Sequence, residues 1–261
     1  MNNIKNFILL FLVFIITILI FYYLNNQLKK KYIKTENFQN NTIPKIIIQT
    51  WKTKNIPEQY KNDIQSLKNY NKNYQYIFFS DDDIEYFLKT HYPKYYETYK
   101  KLPVKIQKID FFRYIAVYHY GGFYFDLDIT ALYSLDELLD YECVFPVDSI
   151  ITPNICNKNR LKKYCLLGMN ILLGQYAFGA KPNNNFIKTL IDGIHNNIDN
   201  YIKKYEKYGE TLQYVYSSTG PDYVTDIYID YNKKDEIHIL DFDYAQYFGK
   251  YAKHNHYGTW K

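Results

Sequence analysis

The stretch 108–130, KIDFFRYIAVYHYGGFYFDLDIT, gathers the side chains most able to do chemistry. At strand spacing Asp126 and Asp128 share a face with Tyr124, while Phe123, Phe125, Leu127 and Ile129 share the other. Two carboxylates on an otherwise apolar element are costly to bury unless something neutralises them. A divalent cation bridging a diphosphate would satisfy both. Asp110 and Arg113 stand three residues apart, on one face of the helix expected over 106–120. A guanidinium placed there can hold phosphate or a sugar hydroxyl through its planar fork. Gly121-Gly122 permits a sharp turn from that helix into the strand. Together these groups suit metal-assisted handling of a diphosphate-linked ligand.

Other reactive residue types read more plainly. Asp81-Asp82-Asp83 suits the first turn of a helix, where carboxylates meet the positive end of the dipole. Asp241-Phe242-Asp243 suits a polar loop after the apolar run 237–240. Neither carries a glycine turn and an upstream Arg. The three cysteines, Cys143, Cys156 and Cys165, are an odd number without metal-like pairing, which predicts neither a disulfide framework nor a zinc site. The 32 tyrosines read as compositional bias rather than as a sugar-stacking cleft. A net charge of +5 spread over scattered lysines excludes nucleic acid as the expected partner.

The frame that must position these groups alternates strands and helices. The pattern predicts strands at 45–49, 74–79 and 123–129 and helices at 57–70, from Ser80-Asp81 through 84–90, and at 106–120. Such alternation predicts an α/β domain with a mainly parallel sheet flanked by helices, in which ligands bind at the carboxyl ends of the strands. Three regions follow along the chain: an N-terminal segment 1–24, a polar stem 25–42 and a globular domain 43–261. Residues 7–24, FILLFLVFIITILIFYYL, lack charge and a polar stripe and end in Tyr22-Tyr23. They read as a single-pass transmembrane helix rather than a cleaved signal peptide. Lys29, Lys30, Lys31 and Lys34 outweigh Lys5, so the positive-inside rule favours a cytoplasmic domain. Orientation stays open at this stage.

The order Asp, two residues, Arg-Tyr, Tyr, Gly-Gly, then Asp-x-Asp resembles the sugar-binding region of glycosyltransferase family 32. That family holds the fungal initiating mannosyltransferases and related sphingolipid and glycolipid sugar transferases, and is akin to the glucosylating clostridial toxins. Three flanking segments are similar to its motifs: IPKIIIQTWKT at 43–53, with Ile48 where His is usual; STGPDYVT at 218–225; and HNHYGTWK at 254–261, with Thr259 where Ser is usual.

The resemblance implies a GT-A fold, one UDP- or GDP-linked sugar donor, one divalent cation (manganese, or magnesium) and retention of anomeric configuration. By position it implies Asp128 as direct metal ligand, Asp126 at the ribose or metal shell, Asp110 and Arg113 on the donor sugar, and Trp51 stacked on the base. It also implies Trp260 and a histidine closing over the diphosphate, with His256 or His254 as third metal ligand. The expected activity is transfer of a hexose to a glycan, lipid or protein acceptor at an internal membrane. Residues 165–190 are expected to shape the acceptor side, although Asn183–Asn185 stand where relatives often carry Gly-His. Two rival functions use the same residues: a metal-dependent nucleotide-sugar hydrolase or phosphotransferase, and an inactive membrane-tethered sugar-binding protein.

Overall fold

The structure is a computed structural model that describes residues 15–17, 19–20, 22–23, 42–156 and 160–258. The chain separates into two units, Met1–Asn40 and Asn41–Lys261. Most of the expected span 7–24 lies outside the described residues, and those within it that are described are helical. Among the described residues no helix is long and apolar enough to cross a membrane.

In the second unit, strand β1 (Ile46–Thr50) is buried along its whole length, as a run of three isoleucines requires. Helix α1 (Lys61–Tyr70) leads to β2 (Gln75–Phe79). Ser80 then caps α2 (Asp81–His91) through a capping box with Asp83, so the acidic triplet is a helix N-terminus as expected. Next come α3 (Pro93–Lys101) and α4 (Lys105–Tyr120). Phe111, Phe112, Tyr114, Ile115, Ala116 and Val117 on α4 are all fully buried. A helix buried on nearly every face needs no polar stripe, and it has none.

Past the Gly121-Gly122 turn lie β3 (Gly122–Phe125), β4 (Ile129–Ala131), β5 (Cys143–Phe145) and β6 (Val147–Ile150). The rest of the fold is α5 (Lys162–Leu166), β7 (Ile171–Leu173), β8 (Ala177–Ala180), α6 (Asn185–Tyr208), α7 (Leu212–Ser218), α8 (Pro221–Asp230), β9 (Ile237–Ile239), β10 (Tyr247–Phe248) and β11 (Ala252–His254). The triplet 241–243 lies in a short turn after β9, as expected of a polar loop.

The main sheet has the order β2-β1-β3-β8-β5-β9. Parallel pairs join β1 to β2, β1 to β3 and β5 to β9, while β8 runs antiparallel to both its neighbours. The sheet is therefore mainly parallel, as the alternation predicts. The carboxyl ends of β1, β3 and β5 and the start of β8 share one edge.

Two expectations are corrected. The strand expected over 123–129 stops at Phe125, turns at 127–128 and resumes as β4 on a different sheet. Phe123, Phe125 and Ile129 still share one core cluster, but Leu127 packs elsewhere, with Tyr60 and Ile64. An alternating pattern cannot distinguish a straight strand from one broken by a turn. Second, Cys156 and Cys165 form a disulfide, and Cys143 is the buried free thiol. An odd count hid one local pair, which a spacing of nine does not announce.

Candidate active site

The sheet edge gathers residues distant in sequence. Thr50 and Trp51 follow β1, Asp126 follows β3, Gln175 and Tyr176 precede β8, and Asp148 follows β5. All line one cleft of about 450 Å³, within the range usual for small-molecule sites.

At its floor Arg113 is almost wholly buried, 2% exposed. Its Nη2 lies 3.1 Å from Asp110 Oδ1 and 3.3 Å from Asp126 Oδ1, and Nη1 donates to the Gln175 carbonyl at 2.9 Å and to the Gln175 side chain. The guanidinium stacks over the Tyr124 ring at 4.7 Å. Thr219 Oγ1 donates to Asp110 Oδ2 at 2.7 Å. The Ser-Thr-Gly-Pro segment thus reaches the site by holding Asp110. Burial pushes the Asp110 and Asp126 carboxyls above the ordinary range, against the pull of Arg113. One guanidinium faces two carboxylates here, an arrangement that gains little stability for its desolvation cost.

Asp126 is fixed from several sides. Tyr124 Oη donates to its Oδ1 at 2.8 Å, its N–H donates to the Tyr176 carbonyl at 2.8 Å, and Gln49 Nε2 donates to its own carbonyl at 3.1 Å. Tyr76 Oη in turn donates to Gln49 Oε1 at 2.8 Å. Asp128 sits in the turn. Its Oδ1 lies 3.5 Å from His254 Nε2, and its Oδ2 accepts from the Tyr257 N–H at 3.0 Å. Burial opposes charge on Asp128, but the His254 contact and the Tyr257 N–H outweigh it and hold the carboxyl below the ordinary value.

The antiparallel pairing of β11 with β4 sets His254 opposite Ile129 and so beside the turn. Ligand atoms of Asp126, Asp128 and His254 all lie within 4.8 Å of one another. Among the described residues His254 Nδ1 is buried without a hydrogen-bond partner. Two carboxylates and an imidazole, with His254 Nε2 on the Asp128 side, are a donor set that suits a borderline divalent cation. Between the two histidines left open by the sequence, His254 joins this cluster; the His256 ring is tilted against it with ring centroids 3.8 Å apart. Trp51 is half-buried against Tyr60 with its ring at the cleft. Trp260 lies outside the described residues.

Residues 57–145 match the family model described as glycosyltransferase sugar-binding region containing DXD motif. The chain carries a glycosyltransferase domain. This domain is 40% identical over 103 residues to inositol phosphoceramide mannosyltransferase 3 of Schizosaccharomyces pombe, covering 40% of this chain and 29% of that protein. It is 31% identical over 193 residues to mannosyl phosphorylinositol ceramide synthase SUR1 of Saccharomyces cerevisiae, covering 73% of this chain and 43% of that protein. The chain thus spans less than half the length of either relative. The ligand-free glycosyltransferase domain from the YGT toxin shares the fold at a TM-score of 0.50 and 11% identity, over 77% of this chain and 80% of that one. The GT-A-like architecture expected from the sequence is borne out at that level.

Several residues around the glycosyltransferase site carried no separate signal in the sequence. Gln49 hides at the end of an isoleucine run, as a fully buried amide between two hydrogen bonds. Gln175, Asp148 and Arg160 lie in loops or on a short edge strand, where periodicity offers nothing to read. Of the region 165–190, Gln175 and Tyr176 line the cleft, whereas Asn184 caps α6.

Proposed function

We propose that this domain transfers a hexose from a nucleotide-sugar to a hydroxyl of a glycolipid or glycan, with retention and with help from a divalent cation. The observation that carries the reading is the convergence of Asp126, Asp128 and His254 beside the buried Arg113–Asp110 pair in one cleft. A divalent cation held by those three residues would neutralise charge building on the departing diphosphate. Trp51, at the β1 end of the edge, offers a flat face for the base. Arg113 and Asp110 are already locked in place, so they can hold sugar hydroxyls without reorganising during the reaction. The Tyr257 N–H donates to Asp128 Oδ2 and holds that carboxylate in place at the cleft. The names of the two yeast relatives favour a mannose donor and an inositol-containing lipid acceptor.

The test is incubation of the full chain with UDP- and GDP-linked hexoses and manganese, with vesicles that contain an inositol phospholipid. Sugar recovered on the lipid supports transfer. Nucleotide release that no acceptor alters favours the hydrolase, and sugar binding without turnover favours an inactive binding protein.

A further inference from the structure

The row along the sheet edge runs Trp51, Asp126, Gln175-Tyr176, Asp148, in the order of β1, β3, β8 and β5. The base and sugar groups proposed above occupy its first half. The far half carries a second pair of charged groups that the donor reading does not use.

Asp148 stands on β6, whose pairing with β7 is broken between Val147 and Ser149: Val147 pairs with Leu173 and Ser149 with Leu172. A register break of this kind bends a strand and re-aims one side chain. The side chain of Asp148 lines the cleft. Its Oδ2 accepts from Ser149 Oγ at 2.8 Å. Burial raises its carboxyl above the ordinary range, with Arg160 opposing. Arg160 lines the same wall. Its guanidinium is clamped by Asp222, with Nε 2.9 Å and Nη2 2.6 Å from Oδ1, and lies 4.5 Å over the Tyr216 ring. Asp222 is fully buried, so this pairing fixes where Arg160 points.

We propose that Asp148 and Arg160 form the acceptor subsite and take a polyhydroxylated ring, of a sugar or a cyclitol. Asp148 accepts the O–H of one ring hydroxyl, and Arg160 donates to a neighbouring oxygen. A fixed acceptor and donor on one wall match a vicinal diol, and Tyr216 and Tyr176 give apolar faces for the ring. The position, two strands beyond β3 and its metal-ligand cluster, sets the hydroxyl on the side of the sugar away from the base. The subsite rests on the transferase reading.

The test uses purified full chain with manganese, the nucleotide-hexose it consumes, and two soluble probes, methyl α-mannoside and myo-inositol. Asp148→Asn is near-isosteric and should raise the KM for the active probe at least tenfold, while calorimetry gives a nucleoside-diphosphate Kd within twofold of the parent. Arg160→Lys keeps a charge beside buried Asp222 and should raise the same KM. The better probe tells sugar from cyclitol. Unchanged probe KM in both variants overturns the subsite, as does a parent that hydrolyses donor but transfers to neither polyol. A tenfold weaker nucleotide Kd in Asp148→Asn would move Asp148 to the donor side and also overturn it. A parent that consumes no nucleotide-hexose instead defeats the transferase reading itself.

Discussion

At the scale of single residues, the site is organised around one buried cation. Arg113 touches Asp110, Asp126, Gln175 and the Tyr124 ring at once. Lysine would keep the charge but cannot reach four partners from one planar group. Arg113→Lys should therefore cost about 100-fold in turnover of the nucleotide-sugar, the scale of losing one main electrostatic stabiliser. Binding of the bare nucleoside diphosphate should change by only about threefold, since its base and diphosphate contacts lie elsewhere. Steady-state kinetics beside calorimetry separates the two, and normal turnover would remove Arg113 from the sugar contacts. Asp110, Arg113, Asp126 and Asp128 were legible in the sequence because spacing and charge single them out. Of their supports, Gln49 and Thr219 stood only inside segments resembling the family's motifs and Gln175 not even there, because a lone amide or hydroxyl becomes meaningful only when tertiary structure brings a partner to it.

At the scale of elements, the turn between α4 and β3 decides whether Arg113 and Asp126 meet. Gly121 and Gly122 both have positive φ, and a Cβ on Gly122 would stand 2.5 Å from the Ile46 carbonyl oxygen of β1. Gly122→Ala should destabilise the domain by at least about 2 kcal/mol, combining backbone strain with that clash. The melting temperature should then fall by about 4 °C or more. An unchanged melting curve would show that β1 yields more easily than its buried packing suggests. A second consequence concerns His119, near the end of α4. It packs edge-on to Phe87 and hydrogen-bonds Tyr92, and burial, then the nearby His91, depresses its pKa to about 4 from 6.5. The unfolded chain thus takes up the proton first. Stability from the neutral ring is full above pH 6.5 and declines as pH falls towards 4. Melting temperatures measured from pH 7 to 4.5 should fall, and His119→Phe should flatten the decline; an equal slope in both proteins would exclude His119 as the cause. Helix and strand identities here were readable from period and capping. The break at Asp126–Asp128 was not, because the alternation continues through the turn.

At the scale of the whole molecule, sheet topology explains why residues 51, 113, 126, 148 and 175 share one cleft, a convergence the α/β pattern forecasts in kind but not residue by residue. The disulfide adds a statement about compartment. Disulfides persist in oxidising surroundings, so Cys156–Cys165 argues for a lumenal or extracellular domain, against the bias of Lys29, Lys30, Lys31 and Lys34. Full-length protein made in cells should stay in the membrane pellet after alkaline carbonate washing, with the Cys156 and Cys165 peptides linked under non-reducing digestion. Free thiols at both positions would put the domain on the cytoplasmic side. The central claim is that Asp126, Asp128 and His254 hold a cation that donor cleavage needs. The most direct measurement is nucleotide released from the preferred nucleotide-hexose, in manganese, in excess chelator and after manganese is restored, for parent and Asp128→Asn. Release should stop with chelator and return with metal, and Asp128→Asn should be at least about 100-fold slower in both conditions that support the parent, manganese and restored manganese. Full turnover in excess chelator, or parental rates from Asp128→Asn, would contradict it.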